Sequence, residues 1–320
     1  MMRLKLVPRN TSWNFFLRSK LWIGISIILV VLSLISFFVQ SLNFGIDFRG
    51  GTSIRTESSE PVNVAAYRNA LSSLDLGDIT ISEVFDPSFE DNQNVAMIRI
   101  QAQPGQEAAT SILVENSLQK LREVKEDIKF VSVESVGPKV SGELIRTAII
   151  AVVLAISAVL FYIWIRFEWQ FAVGAISALI HDVILTIGVF SLLQIKFDLA
   201  IIAAILTIVG YSLNDTVVVF DRVRENLRKF KKRSLIEVMN LSINETMSRT
   251  VMTSVTTLLA LISLFVLGGD VIRGFVFAMI WGVVVGTYSS IFIASAILLW
   301  TGVKRDWSRS NAEAGTQVPQ

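Results

Sequence analysis

Two acids stand in stretches of this chain that are otherwise fit for lipid, and both sit among residues able to hold or pass a proton. Asp215 follows Asn214 in the run Gly210-Tyr-Ser-Leu-Asn-Asp, inside an apolar segment that begins near Leu199. At a rise of ~1.5 Å per residue, it lies about 9 Å inside the polar helix end at Asp221. An ionised carboxylate near the bilayer centre costs at least ~2.5 kcal/mol, and low dielectric favours its neutral form, so this acid can carry a proton at ordinary pH. The chemistry offered is proton uptake and release. The structural alternative is that Asn214 and Asp215 are polar glue between helices. His181-Asp182 stands near the middle of an earlier apolar segment and is either a second relay station or hydrogen-bonded packing support. Arg249 opens a later apolar run. A guanidinium does not give up its proton, so near Asp215 it would favour the ionised acid.

Other chemistries lack their residues. His181 is the single histidine and there is no cysteine, so metal-ligand spacing, disulfides and thiolate chemistry are not expected. The sequence holds no phosphate-binding loop, no nucleophile and base pair, and no cofactor signature, so a non-enzymatic function without a cofactor is expected.

The elements that must position these residues follow from hydropathy. Apolar residues make up 52% of 320 and mean hydropathy is +0.58, with several nearly uncharged windows of about 20 residues. This predicts a polytopic α-helical membrane protein with six transmembrane helices, at 21–40, 147–165, 171–193, 199–220, 250–267 and 274–300. The first has no small-residue cleavage site and reads as an uncleaved anchor. Lys and Arg concentrate in the 1–20 tail, the 221–249 loop and the 301–320 tail, against Lys196 and Arg273 in the short opposite loops. By the positive-inside rule both termini are cytoplasmic and 41–145 is an outer domain. Ser234-Leu-Ile-Glu237 has capping-box spacing, which predicts a surface helix from about Leu235 toward Arg249. The preceding Lys231-Lys232-Arg233 suits topogenic charge rather than nucleic acid.

The outer segment patterns as a folded unit. Thr52 to Thr56 alternates as a strand, and a helix after Pro61 carries Val64, Tyr67, Ala70, Leu71 and Leu74. Strand-like runs at Ile79 to Phe85 and Val95 to Ile100 precede a helix from about Glu107 to Val124 and a last alternation, Lys129 to Ser135. The order β-α-β-β-α-β predicts a ferredoxin-like α+β domain between helices 1 and 2. Its necks are Gly45-Ile-Asp47-Phe-Arg49-Gly50-Gly51 and Val136-Gly137-Pro138, where Gly and Pro set the backbone. Asp47 with Arg49 is either a pair at the membrane surface or part of a turn. Gly282 and Gly286 form a small-xxx-small pattern suited to close helix packing.

These two necks, and above all the run from Gly210 through Asn214-Asp215 to Asp221-Arg222-Val-Arg224-Glu225-Asn226, resemble the SecF family of the resistance-nodulation-division superfamily, over about residues 15 to 305. The resemblance implies a periplasmic outer domain in a bacterial inner-membrane protein and pairing with SecD. It also implies work beside the SecYEG channel, with the small protein YajC and exported polypeptide chains as further partners. It makes Asp215 the family's proton-carrying aspartate and Arg249 its relay arginine, and implies that proton flow helps complete export. Two other readings stay open: half of a proton-driven small-molecule exporter, and a passive membrane scaffold or chaperone.

Overall fold

The computed structural model describes residues 11–303 except 75, 88, 91 and 103–110. The expected helix start at Glu107, residues 1–10 and residues 304–320 of the tails lie outside the described residues. Six helical segments are long and apolar enough to cross a membrane. They are α1 (Ser19–Gln40), α5 (Pro138–Arg166), α6 (Trp169–Leu193), α7 (Leu199–Lys229), α8 (Leu235–Leu267) and a last span, Gly269–Thr301. That last span comprises α9 (Gly269–Ser289), a π-helical stretch (Ser290–Ala294) and α10 (Ser295–Thr301).

Several spans outrun their apolar cores. α5 starts at Pro138, whose missing N–H costs nothing at a first helical position. α7 continues through the charged Asp221 to Lys229 stretch. Where the sequence separates a surface helix from the fifth span, the structure has one helix, α8. Its Ser234 and Glu237 form the reciprocal capping box, and no Gly or Pro interrupts the following residues up to Leu267.

The most buried spans are the last one, α6 and α7; α1, α5 and α8 leave most of their surface outward. Small residues set the spacing of the inner three. A Cβ on Gly282 would meet Ile208 side-chain atoms at 2.3 Å, and one on Gly286 would meet Ser212 at 2.9 Å, so α9 lies directly on α7. Gly174 likewise packs against the Ala294 carbonyl, and Gly188 against Ser33 of α1.

Between α1 and α5 lies a small sheet unit. A four-residue helix α2 (Ile46–Arg49) precedes β1 (Gly51–Ser58), α3 (Val64–Leu71), β2 (Ile79–Val84), β3 (Asn94–Gln101), α4 (Ser111–Val124) and β4 (Lys129–Val136). The strands lie in the order β2-β3-β1-β4, each neighbour antiparallel. α3 starts later than Pro61 suggests, because the Asn63 side chain accepts from the Ala66 N–H at 3.0 Å and fixes the first turn. Ile54, Ile98, Tyr67, Leu71 and Leu121 meet in its core.

The necks join this unit to the spans. Gly50 and Gly51 have φ of +72° and +133°, and a Cβ on Gly51 would sit 2.3 Å from the Ile100 carbonyl, so both positions demand glycine. A Cβ on Gly50 would touch Pro138 at 3.3 Å, so the two necks stand side by side. Gly137 has an ordinary φ of −69° and open space around its Cα; nothing in its surroundings requires glycine.

Candidate functional site

Asp182 is the most heavily bonded buried acid of the inner three helices. Only 1% exposed, its Oδ2 accepts hydrogen bonds from Ser212 Oγ of α7 at 2.6 Å and from Ser289 Oγ of α9 at 2.8 Å. Its Oδ1 lies 2.9 Å from Nδ1 of the adjacent His181. One carboxylate thus ties α6, α7 and α9 together. The seam continues with Thr216 Oγ1 and Ser290 Oγ, 2.8 Å apart, and with Ser290 donating to the Ser212 carbonyl at 3.3 Å. Ser290 begins the π-helical stretch, and Ser295 Oγ donates to its carbonyl at 3.1 Å. Such stretches often mark places where a helix has given up regularity for a side-chain arrangement.

Asp215 lies one turn beyond Ser212 on α7 and is 3% exposed. Its Oδ2 is buried with no hydrogen-bond partner among the described residues. Arg249 of α8 is the cation whose field reaches it, though among the described ion pairs none joins the two. Arg249 and Asn214 are both exposed, so Asn214 is not among the buried contacts of this seam. A buried acceptor without a partner is costly, and it is the arrangement a proton can relieve, since a protonated carboxyl is less penalised there than a carboxylate.

His181 is 6% exposed, and its Nε2 is also buried without a partner among the described residues. Its ring lies 6.2 Å from that of Tyr288, whose hydroxyl is 2.8 Å from Ser26 Oγ and donates to the Trp22 carbonyl at 2.9 Å. Among the described residues, no group of three or more His, Cys, Asp or Glu is arranged to hold a metal ion.

The neck residues meet the same helices at their other end. Asp47 does not pair with Arg49 among the described ion pairs; its Oδ2 accepts from the Leu199 N–H of α7 at 3.1 Å. The N-cap Asp198 takes the Ile201 N–H at 3.4 Å, so two carboxylates serve the start of α7, where the helix dipole favours negative charge. The Gly45 N–H donates to the Phe197 carbonyl at 2.8 Å, the Phe197 N–H to the Asn43 carbonyl at 2.8 Å, and Ser141 Oγ to the Ile46 carbonyl at 3.4 Å. The incoming neck, the outgoing neck and the helix carrying Asp215 therefore form one hydrogen-bonded junction.

Sequence reasoning singled out Asp215, Arg249, His181 and Asp182 but missed Ser212, Thr216, Ser289 and Ser290. Three polar signals were available: Ser212 stands one turn before Asp215, and Ser289-Ser290 is a polar pair within an apolar span.

Comparison with known proteins gives a consistent picture. The family described as protein export membrane protein SecD/SecF, C-terminal, matches residues 116–304, and the SecD/SecF GG motif matches residues 35–62. The protein translocase subunit SecF of Cereibacter sphaeroides is 58% identical, covering 98% of this chain and 97% of its own length. That of Rhodobacter capsulatus is 56% identical over 95% and 93%. Among solved structures, SecDF of Thermus, described as a translocon-associated membrane protein, matches with a TM-score of 0.82 at 34% identity, over 94% of this chain. SecDF in a super-membrane-facing form matches with a TM-score of 0.69 over 98% of this chain. This chain spans only 40% and 42% of those two SecDF chains.

Proposed function

The chain belongs to the SecF family of protein translocase subunits, multi-pass proteins of the bacterial inner membrane with an accessory part in Sec protein export, and we propose that it uses the proton motive force to promote the late steps of that export. SecD is its six-span partner in this reading, and the pair acts on exported polypeptide chains beside the SecYEG channel, with YajC as an associated subunit. Both termini are cytoplasmic, and the sheet unit is a periplasmic ferredoxin-like domain spanning about 41–145.

The observation that carries the proposal is the Asp215 carboxylate, buried within a span with an unpartnered oxygen. The acid takes a proton from the outer side, becomes neutral, and releases it inward when the bundle rearranges and Arg249 can pair with it. The His181-Asp182 pair supports this relay by holding α6, α7 and α9 together, and Asn214, which is exposed, takes no part in that packing. One proton crossing ~150 mV releases about 3.5 kcal/mol, enough to shift a two-state equilibrium several hundredfold. The Asp47 contact to the Leu199 N–H gives that shift a path to the neck, because movement of α7 is transmitted to the residues that hold β1.

The test is export into vesicles containing the channel and the SecD partner, with and without a proton gradient. Asp215→Asn keeps size and hydrogen bonding but does not ionise, so gradient-dependent export is expected to be lost while ATP-driven export is nearly unchanged. Arg249→Lys should retain part of the activity and Arg249→Met almost none. Wild-type gradient dependence in Asp215→Asn, at normal protein level and with the partner bound, would leave the acid as packing glue.

A further inference from the structure

A second polar site lies at the end of the bundle that carries the sheet unit. A cavity of about 330 Å³ opens between β2 and β3 on one side and the α6–α7 and α8–α9 turns on the other. Charged and apolar residues both line it: Arg99, Lys196 and Arg273 face it together with Phe265, Phe275 and Phe277. Most of these charges already have partners. Lys196 Nζ lies 3.3 Å from Asp198 Oδ2, and Arg273 pairs with Asp270 Oδ1. The other oxygen of Asp270 accepts the Phe85 N–H at 2.8 Å, and Arg273 also stands over the Phe85 ring.

Arg99 is the cation left over. Among the described residues its Nη2 reaches only the Met97 sulfur, at 3.2 Å, and its Nε is buried without a partner. Burial pushes its pKa below the ordinary arginine value, with the field of Asp198 acting the other way. A guanidinium stays charged and has five donors in a planar fork that matches a phosphate, so a desolvated one with unused donors is a ready phosphate contact. The aromatic part of the wall comes from the ends of two apolar spans, α8 and α9.

We propose that this cavity binds the phosphate headgroup of a phospholipid from the adjoining leaflet, with Arg99 on the phosphate and Phe265, Phe275 and Phe277 along the glycerol and upper acyl chain. A free phosphate ion would share the Arg99 contact but leave the aromatic wall uncovered. The site is independent of the Asp215 reading, so failure of either leaves the other standing.

The experiment is titration of the full chain, purified in lipid-depleted detergent, with four probes followed by native mass spectrometry: short-chain phosphatidylethanolamine, short-chain phosphatidylglycerol, diacylglycerol of the same chain length, and inorganic phosphate. Both phospholipids should bind, and diacylglycerol and inorganic phosphate should not. Arg99→Gln should weaken both phospholipids about tenfold, whereas Arg68→Gln, on the exposed face of α3, should leave them unchanged. Arg99→Lys, which keeps the charge but not the planar fork, should weaken them less than Arg99→Gln, and an unchanged melting temperature in both variants guards against misfolding. Equal phospholipid binding by Arg99→Gln and wild type would overturn the proposal. So would inorganic phosphate binding as tightly as phospholipid, or displacement of bound phospholipid by an acidic peptide at equal concentration.

Discussion

Asp182 and Asp215 sit on neighbouring helices at similar burial, 1% and 3% exposed, yet their surroundings differ completely. Asp182 has three side-chain partners from three helices, and Asp215 has an oxygen with none. A carboxylate with partners on both oxygens stabilises one arrangement of the helices around it. One with an unpartnered oxygen holds no such arrangement together. Of two acids that look alike in a hydropathy plot, one therefore ties the bundle, and in the proposed mechanism the other is the one that drives it.

Substitutions at the two acids should separate these roles. The largest expected effect is on stability in Asp182→Ala, which strands the Ser212 hydroxyl and the His181 ring and leaves Ser289 only the Gly286 carbonyl. A loss of at least ~3 kcal/mol is expected, read as a fall in detergent thermal-melting temperature. Asp215→Asn should show the opposite profile, with melting temperature unchanged or higher, because it replaces a buried carboxylate with a neutral amide and breaks no described side-chain hydrogen bond. A large melting-temperature loss there would erase the distinction between the two acids.

Smaller changes sharpen the comparison. Ser212→Ala removes one of the donors to Asp182 but leaves Ser289 in place, so about 1 kcal/mol should be lost by the same measurement. Asp47→Ala tests whether the engaged acid at the neck behaves like Asp182. It should cost about 1 kcal/mol or less, because Asp198 still caps α7, and it should reduce gradient-dependent export more than its stability loss accounts for.

Much of the scaffold was legible because its signals are local. Six apolar runs mark six spans, the Ser234 and Glu237 spacing marks the start of α8, and alternation at Thr52 to Thr56 and Lys129 to Ser135 marks strands that have one face on a core. Asp215 was legible because an acid in an apolar run is an anomaly. The Asp182 seam was not, since Ser212 and Ser289 are far apart in sequence and serine is common in spans for packing alone. The π-helical stretch leaves no compositional mark in Ser290–Ala294. Gly137 shows the converse error: a glycine in a motif suggests a backbone demand, and its conformation makes none.

The unbroken course of α8 has a mechanical consequence. Its 33 residues make a rod about 50 Å long, and Arg249 stands fifteenth from its start, close to the midpoint. A tilt of about 10° about that midpoint would carry each tip through about 4 Å while displacing Arg249 very little. Arg249 thus stands near the middle of the rod, with the capped Ser234 end in the basic loop and the Leu267 end beside the turn that carries Asp270. Because no break interrupts the rod, a displacement imposed at one end is carried to the other, and Arg249 moves least.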